Sequence, residues 1–137
     1  MRFLKSLYMV FFFLTLIHTS GCSQSSQEIS PEEVNRLRQN AEDIIIIDVR
    51  TPEEFTGELG HIPGAVLRPL QQIETWESEF SKDKGKKIIM VCRSGNRSGV
   101  STQYFMDKGY ENVYNMSGGM RAWNKLTLPI EQKNTEK

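Results

Sequence analysis

This chain of 137 residues has little cysteine, with two in all, and no surplus of charge, since 17 basic residues face 17 acidic ones. The even balance excludes the electrostatic footprint of a nucleic-acid binder, because neutralising phosphates takes a basic surface. Arg2 and Lys5 are the only charges ahead of Cys22, so the rest of the chain holds 15 basic against 17 acidic side chains and is mildly acidic. The local run Lys82 to Lys87 is read as a solvated turn. An apolar stretch long enough to cross a bilayer is also missing: Leu7 to Ile17 falls short of the roughly 20 residues a spanning helix needs. Beyond Gly21 there is room for one ordinary domain and no second, and no internal repeat is seen.

The first residues have the layout of an export signal: two positive charges, the apolar run, then small residues. Thr19-Ser20-Gly21-Cys22 resembles the lipobox of bacterial lipoproteins, with Thr19 where that family usually has leucine. The resemblance implies acylation at Cys22, a lipid anchor in the membrane, and a periplasmic or cell-envelope location. Ordinary cleavage after Gly21 and an uncleaved anchor are the alternatives. The expected organisation is a signal peptide over 1–21, a polar, serine-rich tether over 22–28, a folded domain over 29–130 and a polar tail over 131–137. Acylation of Cys22 would leave Cys92 without a partner in its own chain, and a lone thiol in an exported protein calls for a functional explanation.

Within the body, Ser30-Pro31-Glu32-Glu33 is a capping box that predicts a short helix ending near Asn40. Ile44 to Val49 is a β-branched run without alternation, as a strand buried on both faces reads. A helical turn follows at Pro52 to Phe55, capped by Thr51, and Ala65 to Leu67 is a brief strand. Leu70, Ile73, Trp76 and Phe80 predict a helix over 70–81, and Lys87 to Val91 is a second buried strand. A helix from Ser98 to Lys108 stops at Gly109, Asn112 to Asn115 is a strand, and Gly119 to Lys125 is a last helix. Strands alternating with helices indicate an α/β fold, an open and mainly parallel sheet with helices on both faces.

Ligands of such sheets bind beyond the carboxyl ends of the strands. Cys92 stands there, followed by Arg93-Ser94-Gly95-Asn96-Arg97-Ser98 and a helix, so successive N–H groups can curl around the sulfur as an anion nest. Arg93 and Arg97 add positive charge that favours a thiolate, Gly95 suits an unusual backbone angle, and Ser94 and Ser98 add hydroxyl donors at the rim. Asp48 and Arg50, at the neighbouring strand's end, are supporting candidates: the carboxylate could orient a loop arginine, or the two could form a structural ion pair. His61 in Gly-His-Ile-Pro-Gly is read as part of a turn, and Trp76 and Trp123 as core.

Cys92 to Ser98 resembles the active-site loop of the single-domain rhodanese family. Two further segments share the resemblance: Ile47-Asp48-Val49-Arg50 with Glu53-Glu54-Phe55 and Gly60 to Ala65, and Gly118-Gly119-Met120-Arg121-Ala122-Trp123 with Leu128-Pro129. It spans about Ile29 to Ile130; Thr127 departs from the glycine the family often has before Leu-Pro. The resemblance implies a sulfurtransferase in which Cys92 takes sulfur from a donor such as thiosulfate as a persulfide and passes it to cyanide, a thiol or a protein acceptor. Arg93 to Ser98 would bind the anionic sulfur, with no cofactor and no metal. The alternatives are a non-catalytic persulfide carrier or docking module, and a phosphatase or arsenate reductase on the same scaffold. Four residues separate Cys92 from Arg97, whereas the related cell-cycle phosphatases have a loop one residue longer, which disfavours a tetrahedral phosphoryl group here.

Overall fold

The computed structural model describes residues 27–132. The expectations for the export signal, Cys22, most of the tether and most of the tail therefore lie outside the described residues. Within them the order is β1 (Glu28–Ile29), α1 (Pro31–Gln39), β2 (Ile44–Asp48), α2 (Pro52–Phe55), β3 (Val66–Leu67), α3 (Ile73–Trp76), β4 (Lys87–Val91), α4 (Asn96–Asp107), β5 (Val113–Met116) and α5 (Gly119–Lys125).

The five strands form one sheet in the order β1-β5-β4-β2-β3, and every pairing is parallel. Parallel strands need crossovers, and the crossovers put helices on both faces. The alternation of side chains along β2 and β4 divides the interior in two. Ile46, Ile89 and Val91 face α1 and α5, where they pack with Val34, Leu37, Met120 and Trp123. Ile47, Ile88, Met90 and Cys92 face the other way, against Trp76, Phe80, Phe105 and Tyr110. The candidate thiol thus hangs from the end of a central strand at the edge of the second core.

The caps form at both helices, although at α1 only the serine half of the box is made, because the Glu33 carboxylate pairs with Arg36. Ser30 Oγ accepts the Glu33 N–H at 3.2 Å ahead of α1, and Thr51 with Glu54 closes a reciprocal capping box on α2. Gly109 takes φ +87° just past α4, the left-handed stop expected of it. The two-residue β1 is too short to have left a pattern in the sequence.

The predicted helix over 70–81 is instead three short pieces. 3-10 turns at Leu70–Gln72 and Glu77–Asp83 flank a single α-turn, α3. The apolar spacing of Leu70, Ile73, Trp76 and Phe80, three, three and four, is compatible with either kind of helix, so periodicity alone does not choose between them. No side chain caps this segment; it is pinned by Trp76 Nε1 donating to the Pro69 carbonyl at 2.9 Å. Thr127 holds φ +51°, a left-handed value that costs a β-branched residue strain where glycine would have none.

Candidate functional site

β4 ends at Val91, and the chain turns through Cys92 to Gly95 into α4, which begins at Asn96, two residues earlier than the periodicity predicts. The early start is possible because Gly95 takes φ +101° at the N-cap. The turn draws the sulfur inside: Cys92 is 1% exposed. Its Sγ accepts from the Gly95 N–H at 3.1 Å and from the Ser98 hydroxyl at 3.2 Å. Burial alone pushes the thiol pKa up, but the Ser98 hydroxyl and the backbone N–H groups of Ser98, Ser94 and Gly95 outweigh it, so the net shift is downward, toward the thiolate.

The loop is held from outside by α5. Met120 N–H donates to the Cys92 carbonyl at 2.8 Å and Arg121 N–H to the Arg93 carbonyl at 3.0 Å. A trans peptide points its C=O and N–H in opposite directions, so anchoring these two carbonyls turns the N–H groups of Arg93 and Ser94 away from α5. Gly119 makes the approach possible: a Cβ there would collide with the Cys92 carbonyl oxygen and would lie 2.6 Å from the Arg93 carbonyl carbon and 2.7 Å from the Ser94 nitrogen.

The two arginines have different settings. Arg97 makes a two-pronged pair with Glu54 of α2, both contacts 2.7 Å, and its charge also acts on Cys92. The hydrogen bond from Arg97 is the main cause that holds the Glu54 carboxyl down at about 2. Arg93 is exposed and lines an open cavity of about 230 Å³ with Arg50, Leu59 and the carboxylates of Glu53, Glu54 and Glu58. Ser94 and Asn96 are exposed at the rim, whereas Ser98 is buried beneath the sulfur, not at the rim where the sequence placed it.

Asp48 and Arg50 form the buried ion pair, with Nη2 to Oδ2 at 2.7 Å and both side chains at most 1% exposed. Arg50 also donates to the carbonyls of Gly60 and Glu54 at 2.7 and 3.1 Å, tying the end of β2 to α2 and to the loop that follows it. Asp48 therefore does not orient a loop arginine, because Arg50 takes its carboxylate; Glu54 does that instead. His61 is stacked on Phe55 with centroids 3.7 Å apart, its Nδ1 is 3.0 Å from the Phe55 carbonyl, and Trp76 and Trp123 are core, as read from the sequence.

Three groups escape the sequence reading: Glu54, Asn115 and Glu28. Asn115, near the end of β5, accepts from Ser98 at 2.6 Å and donates to the Gly95 carbonyl and to Glu28, so a polar line runs from β1 to the sulfur. Glu54 had a signal, the Thr51-x-x-Glu54 box, which explains a capping role and hides a second one. Asn115 and Glu28 had none, because only the β1–β5 pairing brings them together.

Residues 30–126 match the family described as Rhodanese-like domain. A protein of Allochromatium vinosum named sulfurtransferase is 38% identical over 103 residues, covering 75% of this chain and 92% of its own length. An uncharacterized protein of Synechocystis sp. is 35% identical over 116 residues, and the chain, 84% of which is matched, spans 62% of that relative's length. Among solved structures, a rhodanese-like domain protein of Staphylococcus aureus superposes with a TM-score of 0.64 at 31% identity, over 77% of this chain and 99% of the other.

Proposed function

The chain belongs to the rhodanese-like domain family, and from that premise we propose that it is a sulfurtransferase whose Cys92 carries sulfur as a persulfide. The observation that carries the reading is the sulfur itself, drawn into a turn where the Gly95 N–H and the Ser98 hydroxyl point at it and its pKa is lowered. In the first half-reaction the Cys92 thiolate attacks the outer sulfur of a donor such as thiosulfate. A new S–S bond forms at Cys92 as the donor's S–S bond breaks, and its electron pair leaves on sulfite. In the second, a nucleophile, cyanide or a thiolate, attacks the outer sulfur and Cys92 leaves as the thiolate.

The protein's own contribution is to hold negative charge on sulfur. Backbone N–H groups fixed by the α5 anchors receive it, and they need no reorganisation as charge moves from Sγ to the outer sulfur. Arg97, already half neutralised by Glu54, adds a fixed field; Arg93, free at the cavity wall, meets the incoming anion. The buried Asp48–Arg50 pair supports the frame around the loop. The short loop, four residues from Cys92 to Arg97, fits a sulfur atom and disfavours phosphoryl or arsenate chemistry. We place this activity in the cell envelope, the chain anchored through acylated Cys22.

Thiosulfate with cyanide as acceptor should yield sulfite and thiocyanate, and Cys92→Ser should abolish turnover. Treating the protein with thiosulfate alone should add one sulfur to the Cys92 peptide by mass spectrometry. Full activity in the serine variant, or no sulfur adduct on the wild type, would defeat this reading.

A further inference from the structure

Ser98 has two acceptors in reach, the Cys92 sulfur at 3.2 Å and the Asn115 carboxamide oxygen at 2.6 Å. A serine hydroxyl has one proton to give. Asn115 does not resolve the conflict by turning over, because its Nδ2 donates to Glu28 at 2.9 Å and to the Gly95 carbonyl at 3.1 Å. Its oxygen is therefore the atom left facing Ser98. Both residues are buried, where a hydrogen bond left unmade is not made good by solvent.

The charge states of the sulfur use that proton differently. In the neutral thiol, S–H donates to the Ser98 oxygen and the Ser98 hydroxyl donates to Asn115, so each contact holds a proton. A thiolate claims the Ser98 proton, and two oxygen acceptors then face each other at 2.6 Å with nothing between them. In a persulfide the charge lies on the outer sulfur, among the backbone N–H groups. The inner sulfur is then a weak acceptor and leaves the Ser98 proton to Asn115.

We propose that Asn115, fixed by Glu28 and Gly95, is a positioning residue that acts on Cys92 through the Ser98 hydroxyl and favours the uncharged sulfur, thiol or persulfide, over the bare thiolate. The persulfide half rests on the sulfur-transfer reading of Cys92; the thiol half does not. A thiolate held less tightly at its own sulfur is also the stronger nucleophile, so once deprotonated the sulfur is driven toward the persulfide rather than held as the bare thiolate. The charges around this corner are Arg97 of α4 with Glu54 of α2 set against it, the Asp48–Arg50 pair at the end of β2, the exposed Arg93 and Arg121 beside the loop, and Glu28 behind Asn115. Replacing Asn115 or Ser98 removes none of these, so a shift in the thiol's behaviour reports the hydrogen bonds.

The test is the pH profile of Cys92 alkylation by iodoacetamide in the full-length protein, read on the Cys92 peptide by mass spectrometry. Asn115→Ala is expected to move the midpoint down, with about threefold to tenfold more thiolate at a pH below it. Ser98→Ala is expected to move it up, and the double variant to behave as Ser98→Ala alone. If Asn115 served only to brace the loop, its loss would withdraw backbone donors and move the midpoint up. That result overturns the proposal, as does an Asn115→Ala shift that persists without the Ser98 hydroxyl. Should Asn115→Ala fail to fold, Glu28→Ala at the exposed strand edge removes one of the two holds on the carboxamide and carries the same prediction with a smaller shift. Glu28→Gln then controls for charge, and equal shifts in the two Glu28 variants overturn it. Persulfide occupancy after thiosulfate, measured above the alkylation midpoint, is expected to fall in Asn115→Ala, and unchanged occupancy there overturns the persulfide half. A wild type that never gains sulfur instead defeats the sulfur-transfer reading and leaves the alkylation profile to decide the role of Asn115.

Discussion

Glu54 does two jobs with one carboxylate. It accepts the Thr51 N–H at 3.2 Å to close the cap of α2, and it grips Arg97 across 43 positions of sequence. The capping contact survives in a glutamine, whereas the two-pronged ion pair does not. The group's pKa is depressed from 4.5 to about 2 in the folded protein. Its stabilising contribution is therefore complete above the ordinary carboxylate value and is lost as pH falls through that window toward the folded value. Glu54→Gln should accordingly unfold at a lower temperature than the wild type at neutral pH, with the gap closing as pH falls from 4.5 toward 2. Thermal melts across that range check it, and a gap independent of pH would mean that Arg97 gains nothing from the carboxylate.

The element on which the loop depends most is α5, although α5 touches no substrate in the proposed reaction. Its first turn supplies the two N–H groups that fix the loop carbonyls, and only a glycine at 119 lets the helix come so near. Gly119→Ala puts a methyl group into backbone, which does not swing aside as a side chain would. The expected result is a loss of about 1–3 kcal/mol in stability by urea unfolding. Sulfur transfer should fall about tenfold or more, because displaced N–H groups no longer meet the sulfur. The elements themselves were largely legible. The isoleucine run of β2, the Ser30 box and the Gly109 stop each carry a local physical signature, and the Cys92–Arg97 loop announced a cradle through its glycine and arginines. What was not legible is relational. The partner of Arg97, the floor beneath Ser98 and the close approach of Gly119 depend on which strands lie side by side, and no single segment encodes that. The 70–81 segment misled for a different reason: a spacing of three is shared by two kinds of helix, and none of its three pieces has a side-chain cap to extend it.

At the scale of the whole molecule the sheet gathers the ends of β2, β4 and β5 around one sulfur, with a separate apolar core on each face. Cys92 belongs to one core, and α5, which fixes its loop, belongs to the other, so the site straddles both layers. If the chain is anchored as proposed, Cys22→Ser should move it from the membrane fraction to the soluble envelope fraction without changing its activity per molecule. Fractionation of expressing cells with an activity assay on each fraction checks this, and a serine variant that stays with the membrane would count against acylation. The edge strand β1 adds one more relation. The Gln27 carbonyl accepts the Asn115 backbone N–H at 2.7 Å, and the Glu28 carboxylate holds its side chain. The first described residues of the chain and the reactive sulfur are therefore joined through one side chain, and the sheet's edge is wired to its chemical centre.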